Sequence, residues 1–164
     1  MLFFFFLFVA ANVIEAKDKF IFEYCYPSKF FMDLKADKNF ESIKCLDARY
    51  IGVTEESLKI FLQEYKEAVK FKKFKLENSD CDDFALFFKF LSSFFHTRAK
   101  DTSYALCVGF AIVESKEEAL GISPSEAHAI NLIWSNVGWI VVEPQNGEYC
   151  QLKDYPNKIK WIMF

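Results

Sequence analysis

Two stretches of this chain repeat their apolar residues at three- and four-residue steps, and the stretches that follow them do not. Thr54-Glu55-Glu56 supplies a cap and two acids for a first turn, and Leu58, Phe61, Leu62, Tyr65, Ala68 and Val69 follow at helical spacing. This predicts an amphipathic helix over about 55–71, with the Lys70 to Lys75 region as its end and a solvated connection. Asn78-Ser79-Asp80 is a second cap signal, and Phe84, Phe87, Phe88, Leu91, Phe94 and Phe95 predict a second helix from about Cys81 to His96. Beyond Lys100 the period changes. Tyr104 to Val113, Ala127 to Trp134, Trp139 to Val142 and Ile159 to Met163 are apolar runs with β-branched residues, and Ser115 to Ser125, with Gly121 and Pro124, reads as a loop. Phe20 to Tyr50 is mixed and reads as strand or loop. Helices followed by strands predict an α+β domain with a largely antiparallel sheet.

Composition narrows the picture. A length of 164 residues corresponds to one domain, and 52% hydrophobic residues supply a core of ordinary size, which excludes disorder as the dominant state. The net charge is -3 and no basic stripe extends beyond Lys70 to Lys75, so no nucleic-acid partner is expected. The 21 phenylalanines are expected to fill the interior before they serve any ligand. Leu2 to Ala11 is too short for a stable membrane span. It has the length of a signal-peptide core, and Ala16 is a small residue suited to a cleavage point. On this reading residues 1–16 are a signal peptide, residues 17–164 form the single domain, and the protein is secreted or periplasmic. The alternative is a buried strand or a short anchor in a cytoplasmic protein. The five cysteines show no C-x-x-C spacing. After export Cys25, Cys45, Cys107 and Cys150 could form two bridges in any of three pairings; in a reducing compartment they are small buried hydrophobes.

Cys81 falls in the opening turn of the second predicted helix, where unpaired N–H groups and the macrodipole favour a thiolate. A buried structural cysteine is the plain alternative. Only His96 and His128 are available as a base. His96 ends the helix that Cys81 begins, about 22 Å away at a 1.5 Å rise per residue, and so cannot serve that thiol. His128 lies in the strand predicted over Ala127 to Trp134. With Asn136 and Val137 at the tip of a turn, His128 is expected opposite Gln145 and Ile130 opposite Glu143, which puts His128, Glu143 and Gln145 on one face. Glu143 then lies within reach of the imidazole. The plain alternative is a polar turn beside a half-buried histidine. Asp82 and Asp83 oppose ionisation of the neighbouring thiol. Asp82 is expected to face solvent, whereas Asp83, Gln145 and Glu143 offer oxygen ligands for calcium or manganese.

The strings Asn78-Ser79-Asp80-Cys81-Asp82-Asp83-Phe84-Ala85, Ala127-His128-Ala129-Ile130-Asn131 and Val142-Glu143-Pro144-Gln145-Asn146-Gly147-Glu148 resemble the agglutinin C-terminal domain, the papain-like cysteine protease module of a mushroom lectin and of related bacterial and phage proteins. The resemblance runs from Leu46 to about Cys150, including Asp47-Ala48-Arg49-Tyr50. It implies a papain-like fold, a Cys-His-Glu triad at Cys81, His128 and Glu143, and dependence on calcium or manganese through Asp83 and Gln145. The lectin's sugar-binding β-trefoil has no counterpart in the sequence. The reaction expected is hydrolysis of a peptide or protein substrate through a thioester, with the Cys81 N–H and either Gln145 or Asn78 facing the oxyanion. The alternatives are a noncatalytic peptide- or protein-binding module and a transglutaminase-like acyl transferase, which also pairs a helix-start cysteine with a histidine and an acid.

Overall fold

The computed structural model describes residues 24–25, 34, 42–69, 80–96 and 104–164. The expectations for residues 1–16, Lys70 to Lys75, Asn78 and Ser79 lie outside these. Helix α1 spans Glu55–Val69 and α2 spans Cys81–His96. At the start of α1 the Ser57 amide donates to Thr54 Oγ1 at 3.1 Å, the capping bond that the sequence signals. Both helices turn their apolar stripes inward, and the phenylalanines meet between them. Phe61 packs edge-on against Phe88 and Phe95, with ring centroids 5.2 and 5.6 Å apart, and Tyr65 packs against Phe88 at 4.8 Å.

The main sheet holds β2 (Ser42–Lys44), β5 (Val108–Glu114), β6 (His128–Ser135), β7 (Gly138–Val142), β8 (Tyr149–Gln151) and β9 (Lys158–Met163) in the order β2-β9-β5-β6-β7-β8. Every pairing is antiparallel except that of β2 with β9. A small second sheet joins β1 (Tyr24–Cys25), β3 (Tyr50–Ile51) and β4 (Ala105–Leu106). The architecture is α+β with a mainly antiparallel sheet, although short strands precede the helices as well as follow them.

Strand β6 is buried along its whole length because both faces of the sheet are covered. On one side Ile130, Leu132 and Trp134 join Val141, Ile162 and Phe164 beneath Leu34, Tyr50 and Tyr155. On the other, Ile133, Ile140 and Val142 pack against Leu58, Leu62, Tyr65, Phe84, Phe88 and Leu91 of the helices. Two polar side chains fix α2 on this second face. Asn131 Nδ2 donates to the Ala85 carbonyl at 3.0 Å and to Gly109 at 3.2 Å, and Lys89 Nζ donates to the Val108 carbonyl. Burial lowers the Lys89 pKa. The chain between β3 and α1 presses onto Trp134 so closely that a Cβ at Gly52 would lie 2.6 Å from the indole Cδ1. Among the described residues no helix is long and apolar enough to cross a membrane.

Candidate active site

Three chain segments end at one corner of the sheet. Cys81 is the first residue of α2, His128 the first of β6, and Glu143 follows the last residue of β7. His128 Nε2 donates to Glu143 Oε2 at 2.6 Å, and the ring also hydrogen-bonds Cys81. Because Nε2 is directed to the carboxylate, Nδ1 is the nitrogen left for the thiol. The sequence-predicted trio of Cys81, His128 and Glu143 is therefore brought into one hydrogen-bonded chain. His128 is 6% exposed and Glu143 1%. Burial disfavours the charged ring, but hydrogen bonds to Cys81 and Glu143 and the charges of both outweigh it, and the His128 pKa is raised to about 9.

Glu143 is held by the turn it opens. Its amide donates to Glu148 O at 2.8 Å, Gly147 N donates back to its carbonyl at 2.7 Å, and Gln145 N donates to its Oε1 at 2.9 Å. Gly147 has φ +72°, a left-handed conformation that suits glycine, and a Cβ there would strike the Lys66 side chain at 2.7 Å. Asn146 Nδ2 donates to Leu120 O at 2.8 Å, and Lys66 pairs with Glu148 at 2.7 Å.

The hairpin register is the expected one, with Ser135 opposite Gly138 and Asn131 opposite Val142. The expected pairings of Ile130 with Glu143 and His128 with Gln145 do not form, because the ladder stops at Asn131. Pro144 has no N–H to donate, and the Glu143 amide is turned to Glu148. His128 pairs instead with Val113 of β5, and Glu143 reaches it with its side chain from beyond the ladder.

Both Glu143 oxygens are thus engaged, so a cation bound there would have to displace one of these bonds. Asp83 and Gln145 are half-buried, and among the described residues no three His, Cys, Asp or Glu side chains gather into a metal-binding group. Asp82 is exposed, and its pKa is raised first by a hydrogen bond to Asp80 and then by burial. His96 stands apart, buried at the far end of α2 with Nε2 donating to Tyr104 O at 2.8 Å. Cys45, Cys107 and Cys150 are in no disulfide and pack in or against the core.

Two polar groups near the trio were not legible in the sequence. Tyr65 sits at an apolar position of α1, yet its hydroxyl donates to Pro144 O at 2.6 Å. Asn131 interrupts an apolar strand, the one sequence signal that could have marked it, and ties α2 to the sheet.

No family model and no curated protein matches the chain. Solved structures do. The PSL1a-E64 complex superposes with a TM-score of 0.68 at 23% identity, covering 86% of this chain and 51% of that one. The Polyporus squamosus lectin bound to the epitope Neu5Aca2-6Galb1-4GlcNAc superposes with a TM-score of 0.57 at 25% identity, covering 74% of this chain and 42% of that one. This chain spans about half the length of these structures or less. It shares its fold with one part of the Polyporus squamosus lectin structure.

Proposed function

We propose that the chain is a papain-like cysteine hydrolase that cleaves a peptide or amide bond. The observation that carries this reading is the buried hydrogen-bonded sequence from Cys81 through His128 to Glu143. Cys81 Sγ attacks the carbonyl carbon, and the oxyanion faces the Cys81 N–H, which as the first of α2 has no partner within the helix. His128 delivers its proton to the departing amine as the C–N bond breaks, leaving a thioester. Water then attacks the thioester carbonyl, His128 takes the water's proton and returns it to sulfur, and the carboxylic acid is released. Glu143 holds the ring so that Nδ1 faces sulfur throughout.

Capture by the epoxide electrophile E64, the compound named in the PSL1a complex, tests the proposal. Stoichiometric addition mapped to Cys81 is expected at neutral pH, and no addition would overturn the nucleophilic role. The likeness to lectin structures favours a second reading more directly than it favours hydrolysis: a noncatalytic module that holds a peptide, protein or glycan ligand at this corner. That module would bind without any covalent adduct.

Calcium or manganese enters the proposal at Asp83 and Gln145, each two residues along the chain from a member of the trio and neither committed to His128. A cation bound there would offset the negative charge of Asp80, Asp82 and Asp83 around Cys81. A chelator is accordingly expected to lower the thermal midpoint and the rate of E64 capture, with recovery on adding calcium or manganese. Indifference of both readouts would leave Asp83 a helix-end charge.

A further inference from the structure

We infer that Tyr65 is the positioning residue that fixes Glu143 against His128, an inference that rests on the triad reading above. Tyr65 lies on α1, outside every element that carries the trio, and is 1% exposed. Its ring is clamped by Phe61, Phe87 and Phe88, so the hydroxyl has little freedom. Burial and then the nearby Glu143 charge push the phenol far above its usual range, so it stays a neutral donor. A neutral phenol has one proton. At 2.6 Å the Pro144 carbonyl receives it, and the Phe84 carbonyl of α2 lies 3.4 Å from the same hydroxyl.

Pro144 is the residue next to Glu143, and Phe84 lies three residues beyond Cys81. One hydroxyl therefore stands between the segment bearing the carboxylate and the helix bearing the thiol. The peptide that follows Glu143 cannot be anchored by the Pro144 nitrogen, which has no proton. The Pro144 carbonyl, which belongs to the next peptide, is one group through which another element grips the turn beside the carboxylate, as Asn146 Nδ2 on Leu120 O is at its far side, and Tyr65 takes it. The Lys66–Glu148 pair on the next α1 residue is exposed, so it holds the far end of the turn more weakly.

Tyr65→Phe removes one oxygen from an aromatic cluster and is expected to fold. Two readouts separate positioning from plain support. The downfield imidazole N–H resonance of the short His128–Glu143 bond is expected to weaken or move, and E64 capture of Cys81 to slow about tenfold to a hundredfold. Lys66→Met is expected to change neither. Should Tyr65→Phe lose its fold, replacement of Tyr65 by p-aminophenylalanine, which keeps a donor at the same reach, is expected to retain both the resonance and the capture rate. A Tyr65→Phe protein with an unaltered resonance and capture rate would overturn the inference. The resonance reports on the geometry even if the wild-type chain captures no E64, so failure of the hydrolase reading and failure of the positioning role are distinguishable.

Discussion

Cys81→Ala is expected to abolish hydrolysis, lowering the rate by on the order of 10⁴-fold or more, while the fold persists. The nucleophile and the thioester leave with the sulfur, and no described thiol can substitute. Cys107 is buried in the core, and Cys45 and Cys150 pack against it. The structural cost is small because Cys81 is half-buried at the margin of the cluster formed by Ala85, Phe110 and Ala129. Losing one sulfur there costs about 1 kcal/mol or less. A fluorogenic peptide library read alongside thermal unfolding checks both halves. Turnover that survives in Cys81→Ala would assign the activity to another group, whereas ligand binding that survives without turnover in either protein is the signature of the binding module.

Glu143→Gln carries the second large effect, on rate and on pH dependence. A neutral amide cannot stabilise the imidazolium and does not enforce one tautomer, so the rate is expected to fall about 10²- to 10⁴-fold. In the wild type the His128 pKa stands at about 9, above the ordinary 6.5. The stability that the protonated ring contributes is therefore complete below about pH 6.5 and is lost as the pH rises through about 9. The groups facing the pair are Cys81 from α2 and the hydroxyls of Tyr65 and Tyr155, both neutral in this range because burial raises them. Thermal midpoints measured from pH 6 to 10 are expected to decline in the wild type. In Glu143→Gln the decline should be shallower, since burial then opposes the charged ring with one fewer partner. Parallel curves for the two proteins would show that the carboxylate does not set the charge on His128.

How far the sequence reached can be judged element by element. Helix α2 begins and ends where the cap signal and the spacing of Phe84, Phe88 and Leu91 place it, because capping and periodicity are local properties. The β6–β7 register follows from a short turn in which Gly138 adopts φ +102°, again a local requirement. Strand β2 and the start of β3 fall in a stretch that reads only as strand or loop, and β8 went unread, because two or three residues carry no period and their pairing is set by distant partners. The parallel contact of β2 with β9 joins residues more than a hundred positions apart.

The same division runs through the site. By itself the sequence determined that a cysteine opens a helix, that a histidine lies in a strand, and that a glutamate lies one hairpin away, since each depends on signals within a few residues. Tertiary structure alone decided that the ladder stops short of Pro144 and that Glu143 reaches His128 from beyond it. It also decided that Tyr65 turns a hydroxyl from the helix core onto that turn. These outcomes depend on where buried donors find acceptors once the helices pack against the sheet, and burial of a polar group is a property of the whole fold.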